Sequence, residues 1–98
     1  MMSASCLLVL IAPVALEETL ADWIEERFPG QPWTLLRVEG HGSHGLPMSV
    51  YEQVLGRVHL VEARIETTPQ AARDGMCEWR ERYPGAAVRA WMLPLLAL

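Results

Sequence analysis

Two histidines three residues apart, His41 and His44, lie in the glycine-rich stretch Glu39-Gly40-His41-Gly42-Ser43-His44-Gly45, with a further carboxylate downstream at Glu52. Neutral imidazoles together with a carboxylate form a ligand set that zinc, copper or nickel accepts. A transition-metal site built from His41, His44, Glu39 and Glu52 is therefore one expectation. Solvated loop histidines are the competing one, because the remaining His59 and the cysteines, Cys6 and Cys77, fall in core-type segments and add no ligand at recognisable spacing. Gly40, Gly42 and Gly45 offer a different chemistry, since bare backbone N–H groups can cradle an anion such as a phosphate. Their spacing matches neither a P-loop nor a dinucleotide fingerprint, and glycines also simply relieve strain in a long turn. Ser43, Ser49 and Cys77 have no base and orienting acid at diagnostic spacing, so no enzyme is expected.

The elements that must position these groups are those of one small domain spanning 1–98, since 98 residues support a single core. The net charge is -4, and all eight basic residues are arginine. Without a clustered basic surface a nucleic-acid partner is not expected. Two cysteines without framework spacing read as reduced, buried thiols in the cytoplasm. The apolar run Cys6 to Leu16 has no preceding positive charge and is interrupted by Pro13, so it reads as buried structure rather than an export signal. It is also too short to insert into a membrane as a span.

Cys6 to Ile11 is a continuous apolar run of strand length, predicting a central strand buried on both faces. From Val14 to Phe28, Leu16, Leu20, Trp23, Ile24 and Phe28 recur at helical spacing with acidic residues between them. That helix should stop at Pro29-Gly30. Trp33 to Val38 predicts a second strand, the stretch Glu39 to Arg57 a long loop, and Val58 to Glu66 the returning strand. Along the return, His59, Val61, Ala63 and Ile65 face the core, and the other face is largely charged. Thr68-Pro69 caps a second helix carrying Ala72, Met76, Trp79 and Tyr83, which Pro84-Gly85 stops. Ala87 to Leu93 predicts the last strand. Trp23, Trp79 and Trp91 read as core residues.

Glu26-Arg27-Phe28-Pro29-Gly30 recurs as Glu81-Arg82-Tyr83-Pro84-Gly85 at the end of each helix, so each half is strand, helix, strand. Two such units predict an α+β, ferredoxin-like βαββαβ fold, with a four-stranded antiparallel sheet and two helices on one face. The first and last strands remain apolar on the side the helices leave bare. Self-association through that side is the economical cover, with Glu62, Arg64 and Glu66 then needing partners, one of which Arg89 could supply.

With this order of elements the chain resembles the PII-like superfamily of trimeric ferredoxin-like proteins, which includes nitrogen regulatory PII proteins and CutA. Gly40-His41-Gly42 is similar to the Gly-aromatic-Gly element that opens the PII T-loop. Glu39-Gly40-His41-Gly42, the run Ser49 to Arg57 and the ending Trp91-Met92-Leu93-Pro94-Leu95 look closer still to an uncharacterised PII-like subfamily often encoded beside heavy-metal efflux pumps. The resemblance implies a homotrimeric regulator, active in signalling and in metal homeostasis, whose 39–57 loop responds to a small ligand and contacts a partner. It implies that an anion or nucleotide would sit at the loop or in an inter-subunit cleft, held by Gly40, Gly42, Gly45, Gln53, Arg57 and Arg89, or a transition metal at His41 and His44. The chain departs from the classical pattern, because Tyr83-Pro84-Gly85-Ala86-Ala87 stands where PII proteins carry a Gly- and Lys-rich phosphate loop. Lacking any lysine, it is not expected to bind ATP in the classical manner. The alternative is an interaction module that docks on a membrane transporter or efflux pump without a ligand.

Overall fold

The computed structural model describes residues 5–42 and 49–98. Strand β1 (Cys6–Pro13) leads through a single 3-10 turn, Val14–Leu16, into helix α1 (Glu17–Arg27). Strand β2 (Trp33–His41), helix α2 (Val50–Leu55), strand β3 (Arg57–Thr67), helix α3 (Pro69–Arg82) and strand β4 (Arg89–Pro94) follow. The strands lie in the order β2-β3-β1-β4 with every neighbouring pair antiparallel. This is the expected ferredoxin-like arrangement.

Several boundaries differ from those read in the sequence: β1 runs on past Ile11 to Pro13, and β4 spans Arg89–Pro94 in place of 87–93. β2 continues three residues past Val38, through Glu39 and Gly40 to His41. Part of the expected loop is the helix α2, and β3 begins one residue early, at Arg57. α2 owes its existence to its ends: Ser49 and Glu52 form a reciprocal capping box, and Gly56 closes the helix with a left-handed φ of 70°.

The core lies between α1, α3 and one face of the sheet. β1 contributes Cys6, Leu8, Leu10 and Ala12, β3 contributes Val61, Ala63 and Ile65, and the helices add Leu20, Trp23, Ile24, Ala72, Met76 and Trp79. Trp23 packs edge-on against Phe28, with centroids 5.6 Å apart, and against Trp79 at 5.0 Å. Its Nε1–H donates to Glu78, so the buried ring keeps its polar atom satisfied. Gly75 lets α3 close onto this cluster, because a Cβ there would stand 2.8 Å from Cζ of Phe28.

The repeated pentapeptide has a structural counterpart. Gly30 and Gly85 both adopt positive φ, 74° and 85°, where each chain segment leaves its helix. Arg82 of the second copy donates to both oxygens of Glu26 in the first, at 3.1 and 3.2 Å, and ties the two helix ends together.

The second face of the sheet has no helix of the α1–α3 layer on it. Leu36, Trp91 and Leu93 are 41%, 42% and 50% exposed there. Trp91 is therefore not a core residue, and the Arg89 guanidinium lies 4.7 Å from the centre of its ring. Glu62 finds its partner within β3, accepting from Arg64 at 2.7 Å, so that charge does not depend on Arg89. Val58 and Leu60, the two apolar residues on this face of β3, are both buried, at the end of β3 nearest α2. Two further expectations of burial fail, since His59 and Cys77 are both exposed. No helix among the described residues is long and apolar enough to cross a membrane.

Candidate functional site

The candidate site is the stem from which the 39–57 connection leaves the sheet. β1 pairs with β3 only as far as Pro13 opposite Leu60, whereas β2 and β3 stay paired through Glu39–His59, Gly40–Val58 and His41–Arg57. The side chains alternate along this ribbon, so Glu39, His41, Arg57 and His59 share the helix-side face. Glu39 and His41 belong to the set whose spacing first suggested chemistry, and Arg57 and His59 join them here.

Glu39 is the hub of this cluster. One carboxylate oxygen lies 3.1 Å from Nη1 of Arg57 and the other 3.5 Å from Nε2 of His41. Nε of Arg57 is buried and has no hydrogen-bond partner among the described residues. The guanidinium thus has a donor that no described group takes up, and an anion could reach it only if the stem opened. Beside the cluster, Val14, Arg37, Val38, Glu39, His59 and Leu60 line an open depression of about 480 Å³. Arg37 is committed to Glu17, which accepts from both Nε and Nη2 at 3.0 and 2.9 Å. That pairing holds the Glu17 carboxyl below its ordinary pKa.

Glu52, expected as a metal ligand, has a structural role. One oxygen accepts the Ser49 N–H at 3.0 Å and the other the His59 N–H at 2.6 Å. No β1 residue lies opposite His59, so the carboxylate satisfies a backbone donor that the sheet leaves bare. The His59 and Ser49 N–H groups hold the Glu52 carboxyl below its ordinary pKa.

The remaining expected residues are dispersed. Gly40 is buried in β2 opposite Val58, and Gly42 leaves the strand with a φ of 77°. Gln53 is exposed on α2. Arg89 stands on the other face of the sheet, two strands from Arg57, so a single chain does not bring the two together. His44 and Gly45 lie outside the described residues. Among the described residues no group of three or more His, Cys, Asp or Glu side chains could hold a metal ion. Sequence reasoning named His59 only as core; its i+2 relation to Arg57 on a strand facing Glu39 and His41 was the signal for its place here.

Comparison with solved structures gives the same fold at low identity. A PII-like signalling protein from Thermus thermophilus matches with a TM-score of 0.67 and 18% identity, covering 98% of this chain and 91% of that one. CPII from Thiomonas intermedia, in a structure with ADP, AMP and acetate bound, matches with a TM-score of 0.71 and 12% identity over 98% and 90% of the two chains. A DUF3240 family protein from Shewanella baltica matches with a TM-score of 0.64 and 20% identity over 99% and 96%. A comparison with curated proteins finds no match. The family model DUF3240, described as a protein of unknown function, matches residues 2–98, and the chain belongs to this family.

Proposed function

We propose that the chain is a non-enzymatic, PII-like regulatory subunit whose 39–57 connection responds to an anionic small ligand, with an adenine nucleotide the favoured class. The observation that carries this reading is the Arg57 guanidinium, which spends one nitrogen on Glu39 and keeps a buried Nε–H without a partner among the described residues at the root of the connection. A phosphate or carboxylate taking up that donor would compete with Glu39 and release His41. Ligand affinity would then differ between two positions of the stem, which is all that a switch requires. The CPII structure with ADP, AMP and acetate supports the ligand class.

The bare sheet face supports assembly into a homotrimer, since Leu36, Trp91 and Leu93 otherwise expose apolar surface to water. In such an assembly a neighbouring chain could bring its Arg89 toward the Arg57 cluster. The Glu39–His41 contact favours a second reading, in which a transition metal binds at His41 and His44 in a metal-homeostasis role with a transporter as partner.

Calorimetric titration with ADP, AMP, bicarbonate, zinc, nickel and copper separates these readings. Heat and thermal stabilisation with an adenine nucleotide, lost in Arg57→Gln, support the first. Binding of metal alone, lost in His41→Ala, supports the second. Silence with every one of these ligands would sink both and leave a docking module.

A further inference from the structure

At the edge of the sheet remote from the stem, a cavity of about 340 Å³ opens between α3 and β4. Leu8, Met76 and Met92 give it an apolar floor, and Arg73, Cys77 and Arg80 form its rim along α3. The rim residues fall at i, i+4 and i+7, so they make one stripe on the helix. Arg37, Arg57, Arg64 and Arg82 are each paired with a glutamate. Among the described residues neither Arg73 nor Arg80 has an ion pair or a side-chain hydrogen bond, although the chain carries 12 acidic residues against 8 basic ones. Two unneutralised guanidiniums over an apolar floor complement a ligand with one negative end and a hydrocarbon body.

We propose that this cavity binds an amphipathic carboxylate, with its chain against Leu8, Met76 and Met92 and its carboxylate between Arg73 and Arg80. Guanidinium–carboxylate pairing supplies the orientation, and burial of the chain supplies the affinity. The volume lies at the small end of the roughly 300–1,000 Å³ typical of small-molecule sites, which points to a medium-length chain. The proposal is independent of any ligand at the stem.

Cys77 makes the cavity readable. It is exposed on the rim, whereas Cys6 is buried, so alkylation of the native protein by iodoacetamide reports Cys77. Decanoate below its micellar range is the probe. It should slow the reaction roughly fivefold or more once it exceeds its dissociation constant several times over. Decanol at the same concentration should have little effect, and R73Q/R80Q should remove the protection by decanoate. The ratio of rates with and without ligand is compared, so any change in thiol reactivity caused by losing the arginines cancels. Both arginines are exposed, and the methyl resonance of Met92 provides a second readout of decanoate binding in the folded variant. Equal protection by decanol, no protection by decanoate, protection that survives R73Q/R80Q, or a Cys77 that is unreactive in the native protein would each overturn the proposal. So would protection by phosphatidylglycerol vesicles in place of decanoate.

Discussion

The Glu52 carboxylate joins α2 to the sheet by accepting the backbone N–H of His59 at 2.6 Å while it caps its own helix through Ser49. Because the folded carboxyl is held below its ordinary value of 4.5, the contribution of this contact is fully present above that pH and is lost as pH falls through the lowered folded value. The protection factor of the His59 amide, its exchange relative to an unstructured amide at the same pH, should therefore fall in acid before the core strands open. Glu52→Ala should show that low protection at neutral pH as well. A His59 amide equally protected in both proteins at neutral pH would show that another group holds α2 in place.

Ser49→Ala removes one half of the capping box and leaves the sheet contact of Glu52 in place. Local opening of α2 should become easier by about 1 kcal/mol, with the global unfolding midpoint nearly unchanged. Residue-specific hydrogen exchange against a urea melt distinguishes the two effects.

Gly75→Ala tests the closeness of α3 to α1. The new methyl would meet the Phe28 ring at 2.8 Å, inside a packed aromatic cluster, and should cost roughly 1–3 kcal/mol by urea denaturation. Arg82→Ala, by contrast, breaks an exposed pair with Glu26 and should leave the urea midpoint nearly unchanged.

Trp91→Glu combined with Leu93→Glu places two charges on the bare sheet face, at positions 42% and 50% exposed in the single chain. Sedimentation should show a monomer in place of the proposed trimer, while far-ultraviolet circular dichroism stays that of the folded domain. An unchanged sedimentation coefficient would mean that the face is covered in some other way.

On the proposed nucleotide reading, Arg57→Gln should weaken binding of ADP by about tenfold or more, equivalent to about 1.4 kcal/mol, through loss of a charge-assisted contact. Arg37→Gln is the control, because Arg37 projects from the same face but is already engaged by Glu17. Equal losses in both variants would indicate a general charge effect.

Much of the fold was legible because its signals are local and repeated. The apolar run of β1, the helical spacing of Leu20, Trp23 and Ile24, and the doubled Pro-Gly stop fixed the order of elements. α2 was obscured because Val50 to Leu55 is only six residues long and sits in a glycine-rich stretch. Its caps were nevertheless written in Ser49, Glu52 and Gly56. The extension of β2 through Gly40 and His41 was harder to see, since glycine weakens a strand and only the pairing with Arg57 and Val58 compensates. The dual engagement of Glu52 depends on where β1 ends, a tertiary fact with no sequence signature. The cavity over Leu8 and Met92 likewise arises only once α3 lies beside β4.

Beyond Leu60 the sheet narrows, among the described residues, to β2 and β3, and three residue pairs continue outward without a third described strand beside them. At about 3.4 Å per residue this arm is roughly 10 Å long, and a two-stranded ribbon twists more readily than the body of a sheet. A twist of a few degrees at its root displaces whatever is attached at its tip, and the Glu39, His41, Arg57 and His59 side chains are set along this arm.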